Sequence, residues 1–316
     1  MESAPINSPL KNVQLITRFC SVEQPYWYSF LSHHCNLGLG VLHACVQSDR
    51  EKEELLALPR PPSLTLFIHL QPEHYCPNQA LKALDLSSIL PMRPLTMLLD
   101  VDEYFTVLSA NQSLDSYFNA SDRLASLDVP WIMNPLLDSS HVPAHGFYGR
   151  GIKQVARSAA ITEIISPHRF RLDEGDDPYR SKSNAYMYGM AIVHYCSRSF
   201  RDSLLRTLTS KILGFKAEDR SNVRDKIRCG IVPNRLKILA LLECQDRYLP
   251  WAMPSNLDFD LRQEEAILRS YLSPEEECLA LDDYHAYRDN LIGNPDFPFA
   301  YPHPTKTLKQ LGALLP

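Results

Sequence analysis

No stretch of this chain approaches the roughly 18 to 20 apolar residues that a bilayer crossing needs. A membrane span is therefore not expected. No long basic run stands out and the net charge is −5, so the electrostatic footprint of nucleic-acid binding is missing. Neither G-x-G-x-x-G nor G-x-x-x-x-G-K-[ST] occurs in the first half, which excludes an ordinary dinucleotide fingerprint or P-loop there. None of the eight cysteines forms a C-x-x-C pair. Their wide, irregular spacing argues against a disulfide framework and for buried free thiols in a reducing compartment. The opening residues, MESAPINSPLKNV, lack a basic region followed by an apolar one, so no signal peptide is expected and the chain reads as soluble and cytoplasmic. There is no internal repeat and no low-complexity segment.

What is present is a globular composition: 316 residues, 45% hydrophobic and 22% charged, enough for one large domain or a domain plus an appendage. Partners should be small molecules or glycans. The first hundred residues alternate strand and helix patterns. Strands are expected over 13–19, 41–47, 64–70 and 95–99, with helices opening at Pro25, at Ser48 or Asp49, and over 78–90. Such alternation predicts a parallel, helix-flanked sheet, in which ligands bind outside the carboxyl ends of the strands. Further strands are expected over 129–137, 152–156 and 186–195. Helices follow over 198–213, 234–248 and 261–271, and a Pro-rich tail closes the chain.

The fourth strand runs into MLLDVDEYF, three acids within four positions, Asp100, Asp102 and Glu103. Carboxylates at i and i+2 point broadly to one side and repel unless something positive lies between them. A hard divalent cation, Mn²⁺ or Mg²⁺, is the economical answer. Such ions take one or two carboxylates and complete their shell with substrate phosphates. The plain alternative is that the acids cap or solvate a turn.

LLDVDEYF resembles the aspartate motif of nucleotide-sugar-dependent glycosyltransferases of the GT-A fold, more narrowly the family ninety-two and family-two-like group. Other segments resemble that group in the same order. EQPYWYSFLSHHCNLGLGVLHACVQSD, with Trp27, His34, Gly38 and Asp49, is similar to its opening. GIKQVAR, SPHRF and VHYCSRSF are similar to later motifs, and the resemblance covers roughly residues 13 to 213. It departs from the pattern where Val22 precedes Glu23.

The resemblance implies an α/β fold with a GT-A type nucleotide-binding mixed sheet over residues 1–215, followed by a helical, Pro-rich extension over 216–316. It implies a metal-dependent, inverting glycosyltransferase that moves a sugar from a nucleotide sugar, a UDP sugar, to a glycan or other hydroxyl acceptor. Asp100 and Asp102 would serve the metal, with His168 or His194 as a further ligand and Glu103 orienting them. Lys153, Arg157 and Arg198 would neutralise the departing diphosphate. Thr17, Arg18 and Asp49 lie where the nucleoside should bind, although Arg18 and Asp49 could instead pair. Asp138 is a candidate general base, with Glu163 and Asp173 as others. Trp131 could stack on an acceptor sugar or sit in the core. Two alternatives stand beside this reading. A haloacid-dehalogenase-like phosphatase would use Asp100 as nucleophile, although Glu103 and Tyr104 depart from its pattern. A non-catalytic member of the fold would bind a sugar nucleotide without turnover.

Overall fold

The structure, a computed structural model, describes residues 8–71, 77–107, 113–120, 124–133, 145–173, 189–195, 199–208, 223–243, 249–250 and 260–293. The chain divides into two compact units. One is Met1–Ile132, Gly151–His194 and Pro254–Phe259; the other is Met133–Arg150, Tyr195–Met253 and Asp260–Pro316.

The expected alternation is present in the first unit: β1 (Val13–Arg18), α1 (Gln24–Asn36), β2 (Val41–Val46), α2 (Asp49–Ala57), β3 (Thr65–Leu70), α3 (Pro77–Lys82), α4 (Leu86–Ile89) and β4 (Leu95–Leu98). β1 pairs in parallel with both β2 and β4, and β2 with β3. Every residue of β1, β2 and β4 is buried, as parallel strands covered on both faces require. β3 ends the sheet and is only half-buried. Gly38 ends α1 at φ +89, where a Cβ would come within 2.6 Å of the Ser8 Cβ, so only glycine fits that turn. The single helix expected over 78–90 is broken. Asp85 accepts a hydrogen bond from the Ser87 amide and restarts the helix as α4.

Beyond β4 the sheet is mixed rather than parallel. β5 (Glu103–Val107), α5 (Leu114–Ala120), β6 (Ser126–Met133), β7 (His145–Arg157), β8 (Ile161–Ser166), β9 (Arg169–Leu172) and β10 (Met190–His194) follow, and the order across the sheet is β3-β2-β1-β4-β7-β6-β10-β5. β4–β7 and β10–β5 are antiparallel. β8 and β9 form a separate hairpin. It packs with α3 and α4 in one core cluster that includes Ile16, Leu98, Ile164 and Phe170. An aromatic cluster carries Trp27 and Phe30 of α1 against Phe19, with Phe30 also meeting Tyr104 edge-on.

β5 is the other end of the sheet, and α1 covers it. The His34 Nε2 accepts the Phe105 amide at 3.2 Å, and the His33 Nε2 donates to the Phe105 carbonyl at 2.8 Å. Both backbone groups of one edge residue are thus satisfied by a helix instead of a further strand.

In the second unit are α6 (Phe200–Leu208), α7 (Val223–Arg228), α8 (Asn234–Glu243), β11 (Leu249–Pro250), α9 (Leu261–Arg269) and α10 (Pro274–Ile292). α8 packs on α6 and α10, and α7 on α10. β11 pairs with the start of β7 through Leu249 and Gly146. Among the described residues no helix is long and apolar enough to cross a membrane.

Candidate functional site

β1 leads to β2 and β3 on one side, and the chain then crosses back to place β4 on the other side of β1. The carboxyl ends of β1 and β4 therefore flank a topological switch point, where open α/β sheets bind ligands. Thr17 and Arg18 end β1, both buried, and the Thr17 hydroxyl has no hydrogen-bond partner. The three acids follow β4.

The chain reverses tightly at these acids. The Glu103 amide donates to the Asp100 carbonyl at 3.0 Å, and the Asp100 amide donates to the Glu103 Oε2 at 2.7 Å. This reciprocal pair closes a turn with Asp at its first position, a favoured place for that residue. Glu103 thereby becomes the first residue of β5. The β10–β5 register sets His194 directly opposite Glu103, and the His194 Nε2 lies 3.4 Å from the Asp102 Oδ2.

Lys153 comes from the middle of β7 and is fully buried. Its Nζ lies 2.8 Å from the Asp100 Oδ2, 2.7 Å from the Glu103 Oε2 and 2.8 Å from the Pro167 carbonyl. Three acceptors use all three ammonium protons. Lys153 thus ties two of the acids to the β8–β9 turn, and no proton is left over for a diphosphate. Asp100 and Glu103 together hold the Lys153 ammonium above its usual range against the opposing effect of burial. Burial pushes the Glu103 carboxyl well above the ordinary carboxylate range; Lys153 opposes that rise, while Asp100 and Asp102 add to it.

His168 sits in the turn between β8 and β9. Burial, with the Lys153 charge second, lowers its imidazole to about 4, so the ring is neutral at physiological pH and has a lone pair to offer. Trp131 of β6 meets the His168 ring edge-on at 5.2 Å and the His194 ring at 4.3 Å. The His168 Nδ1, the His194 Nδ1 and the Glu103 Oε1 are buried without a hydrogen-bond partner. Buried polar atoms left this way are uncommon.

Of the residues singled out in the sequence, Asp100, Asp102, Lys153, His168 and His194 are brought together, with Glu103 and Trp131 among them. Arg157 does not join them. It pairs in register with Leu95, at the far end of β4 from the acids, and its guanidinium donates to the Leu124 and Phe118 carbonyls. Asp49 is the exposed first residue of α2. Glu163 pairs with Arg171 on the hairpin, which Asp173 follows. Asp138 and Arg198 lie outside the described residues. Sequence reasoning missed Glu51. Its two oxygens accept the Ser21 amide at 2.8 Å and the Gln47 amide at 2.7 Å, locking together the segments that leave β1 and β2. The S-x-x-E spacing from Ser48 was the signal that could have found it.

Among the described residues no three carboxylate, imidazole or thiolate groups form a ready-made cation site. The donors that do approach each other, Asp102 and His194, suit an ion that takes few protein ligands. Mn²⁺ and Mg²⁺ behave so, drawing the rest of their shell from water and substrate phosphates. The unpartnered imidazole and carboxylate atoms agree with that donor chemistry. Asp102 and His194 would hold such an ion, and it would supply positive charge against a bound diphosphate. No protein-family model matches the chain, and no curated protein matches it either.

Proposed function

We propose that the protein is a metal-dependent glycosyltransferase that transfers a sugar from a nucleotide-sugar donor, a UDP sugar, to a glycan or other hydroxyl acceptor with inversion. The observation that carries this reading is the meeting of Asp100, Asp102, His194 and His168 just past β4, beside the switch point between β1 and β4. Asp102 and His194 serve the cation. Asp100, with about a third of its side chain exposed, faces the donor while Lys153 holds it in place. Thr17 and Arg18 border the nucleoside end of the crevice. Asp138 is the carboxylate proposed to take the acceptor's proton.

The test is thermal unfolding with UDP and Mn²⁺ together. The melting temperature of the wild type rises, and Asp102→Asn removes the rise. A wild type that shifts with no nucleotide in the presence of Mn²⁺ or Mg²⁺ overturns the reading. A second reading rests on the same exposed Asp100 oxygens beside a lysine, an arrangement that also suits a phosphatase nucleophile. Phosphate release from a generic phosphate ester, abolished in Asp100→Asn, would favour it over transfer.

A further inference from the structure

At the other end of β4 a cavity of about 700 Å³ opens between α4, the segment before β4 and the end of β7. We propose that it binds a small anionic amphiphile, a carboxylate or phosphate group carried on an apolar body. The volume falls within the roughly 300 to 1,000 Å³ of small-molecule sites. Its apolar wall is built by Leu86, Leu90, Met92 and Ile161, and Arg93 and Arg157 are among its lining residues, with no carboxylate.

Arg93 is the group that calls for an anion. Its Nε is buried without a hydrogen-bond partner, and its Nη1 reaches only the Met92 carbonyl at 3.3 Å. It forms no ion pair among the described residues. Gly40 makes room for it, since a Cβ there would lie 3.2 Å from the Arg93 Nη2. A half-buried cation without a counter-charge is costly, and a planar guanidinium matches a carboxylate or phosphate bidentately. The side-chain hydroxyls of the wall are paired elsewhere, Ser87 donating to the Asp85 carboxylate at 2.6 Å. The Ser158 hydroxyl bonds to the Thr96 hydroxyl at 2.7 Å. Arg157 is fixed by the Leu124 and Phe118 carbonyls and stacks over the Phe118 ring at 5.5 Å.

This cavity is separate from the acids. Pro94 precedes β4 and Arg157 pairs with its first residue, whereas Asp100 lies two residues past its last. The proposal therefore does not rest on glycosyl transfer.

The experiment is calorimetric titration of the full chain with decanoate and with decyl phosphate, which tell a carboxylate ligand from a phosphate one. Decanol is the uncharged control. At least one anion binds, and decanol binds at least tenfold more weakly. Arg93→Gln weakens the anion at least tenfold. Ala159→Trp, placed on the exposed rim so as to fill the cavity, abolishes binding with an unchanged melting temperature. Asp102→Asn leaves it intact. The proposal fails if neither anion binds, if decanol binds as well as the anions, if both cavity variants bind like wild type, or if Asp102→Asn removes binding.

Discussion

Lys153 shows how far single residues could be read. The strand running into D-V-D-E is visible in the sequence, because an apolar run and a carboxylate spacing are both local patterns. The partners of Lys153 are not local. They lie 53 residues away at Asp100 and 50 away at Glu103, and are reached only through the pairing of β4 with β7. A lysine on a strand therefore reads equally well as a diphosphate ligand or as an internal counter-ion. The structure makes it the second. Removing it as Lys153→Met leaves Glu103 buried beside two other acids without its cation, which should cost roughly 3 to 5 kcal/mol. Adding Glu103→Gln to that variant should recover part of the loss, since the uncompensated charge goes with it. Urea unfolding of both single variants and the double variant measures this. A loss below about 1 kcal/mol in Lys153→Met would remove the counter-ion role.

Among whole elements, the legible ones announce their ends or their core face. α2 begins at Ser48, whose hydroxyl accepts the Glu51 amide at 3.1 Å, as its sequence suggests. Ser48→Ala should cost about 1 kcal/mol. Glu51→Ala should cost more, because the Ser21 and Gln47 amides lose their acceptor together, at roughly 1 to 3 kcal/mol for each amide left buried. If the two variants unfold at the same urea concentration, Glu51 is a cap residue and not the lock between the two strand ends. α10 was not foreseen although it is the longest helix among the described residues and starts with a full capping box, Ser273 with Glu276. Its buried residues are only Ala280, Tyr284 and Leu291, a line too narrow to give the broad apolar stripe that periodicity detects. The break at Asp85 was missed for a related reason: apolar spacing continues through it, and only the cap marks the restart.

Across the whole molecule, the parallel half was readable from alternation, and the antiparallel half was not. β5 joins β10 across about 90 residues, and neither strand's own sequence names its neighbour. The sealing of β5 by α1 follows from that topology, and it makes the fold sensitive to acid. The neutral His34 ring donates from Nδ1 to the Phe30 carbonyl at 2.8 Å and accepts the Phe105 amide at Nε2, so both nitrogens are committed to one tautomer. Burial, then the neighbouring His33, holds the His34 imidazole well below 6.5, and burial also lowers His33. Burial and His69 lower His43 to about 4. Above pH 6.5 these rings are neutral in both the folded and unfolded chain and add no pH dependence. Below 6.5 the unfolded chain takes up protons that the folded one refuses, so stability falls as the pH drops, at up to about 1.4 kcal/mol per pH unit for each ring. The loss from His43 is complete near pH 4, and that from His34 continues to lower pH. Glu103, raised by burial, works in the opposite direction, so the test compares two chains that both contain it. His34→Gln can still accept the Phe105 amide through its side-chain oxygen but does not titrate. Its unfolding free energy, followed by urea titration between pH 7 and pH 4.5, should decline less steeply than that of the wild type. Parallel slopes for the two chains would show that the β5 seal does not set the acid limit.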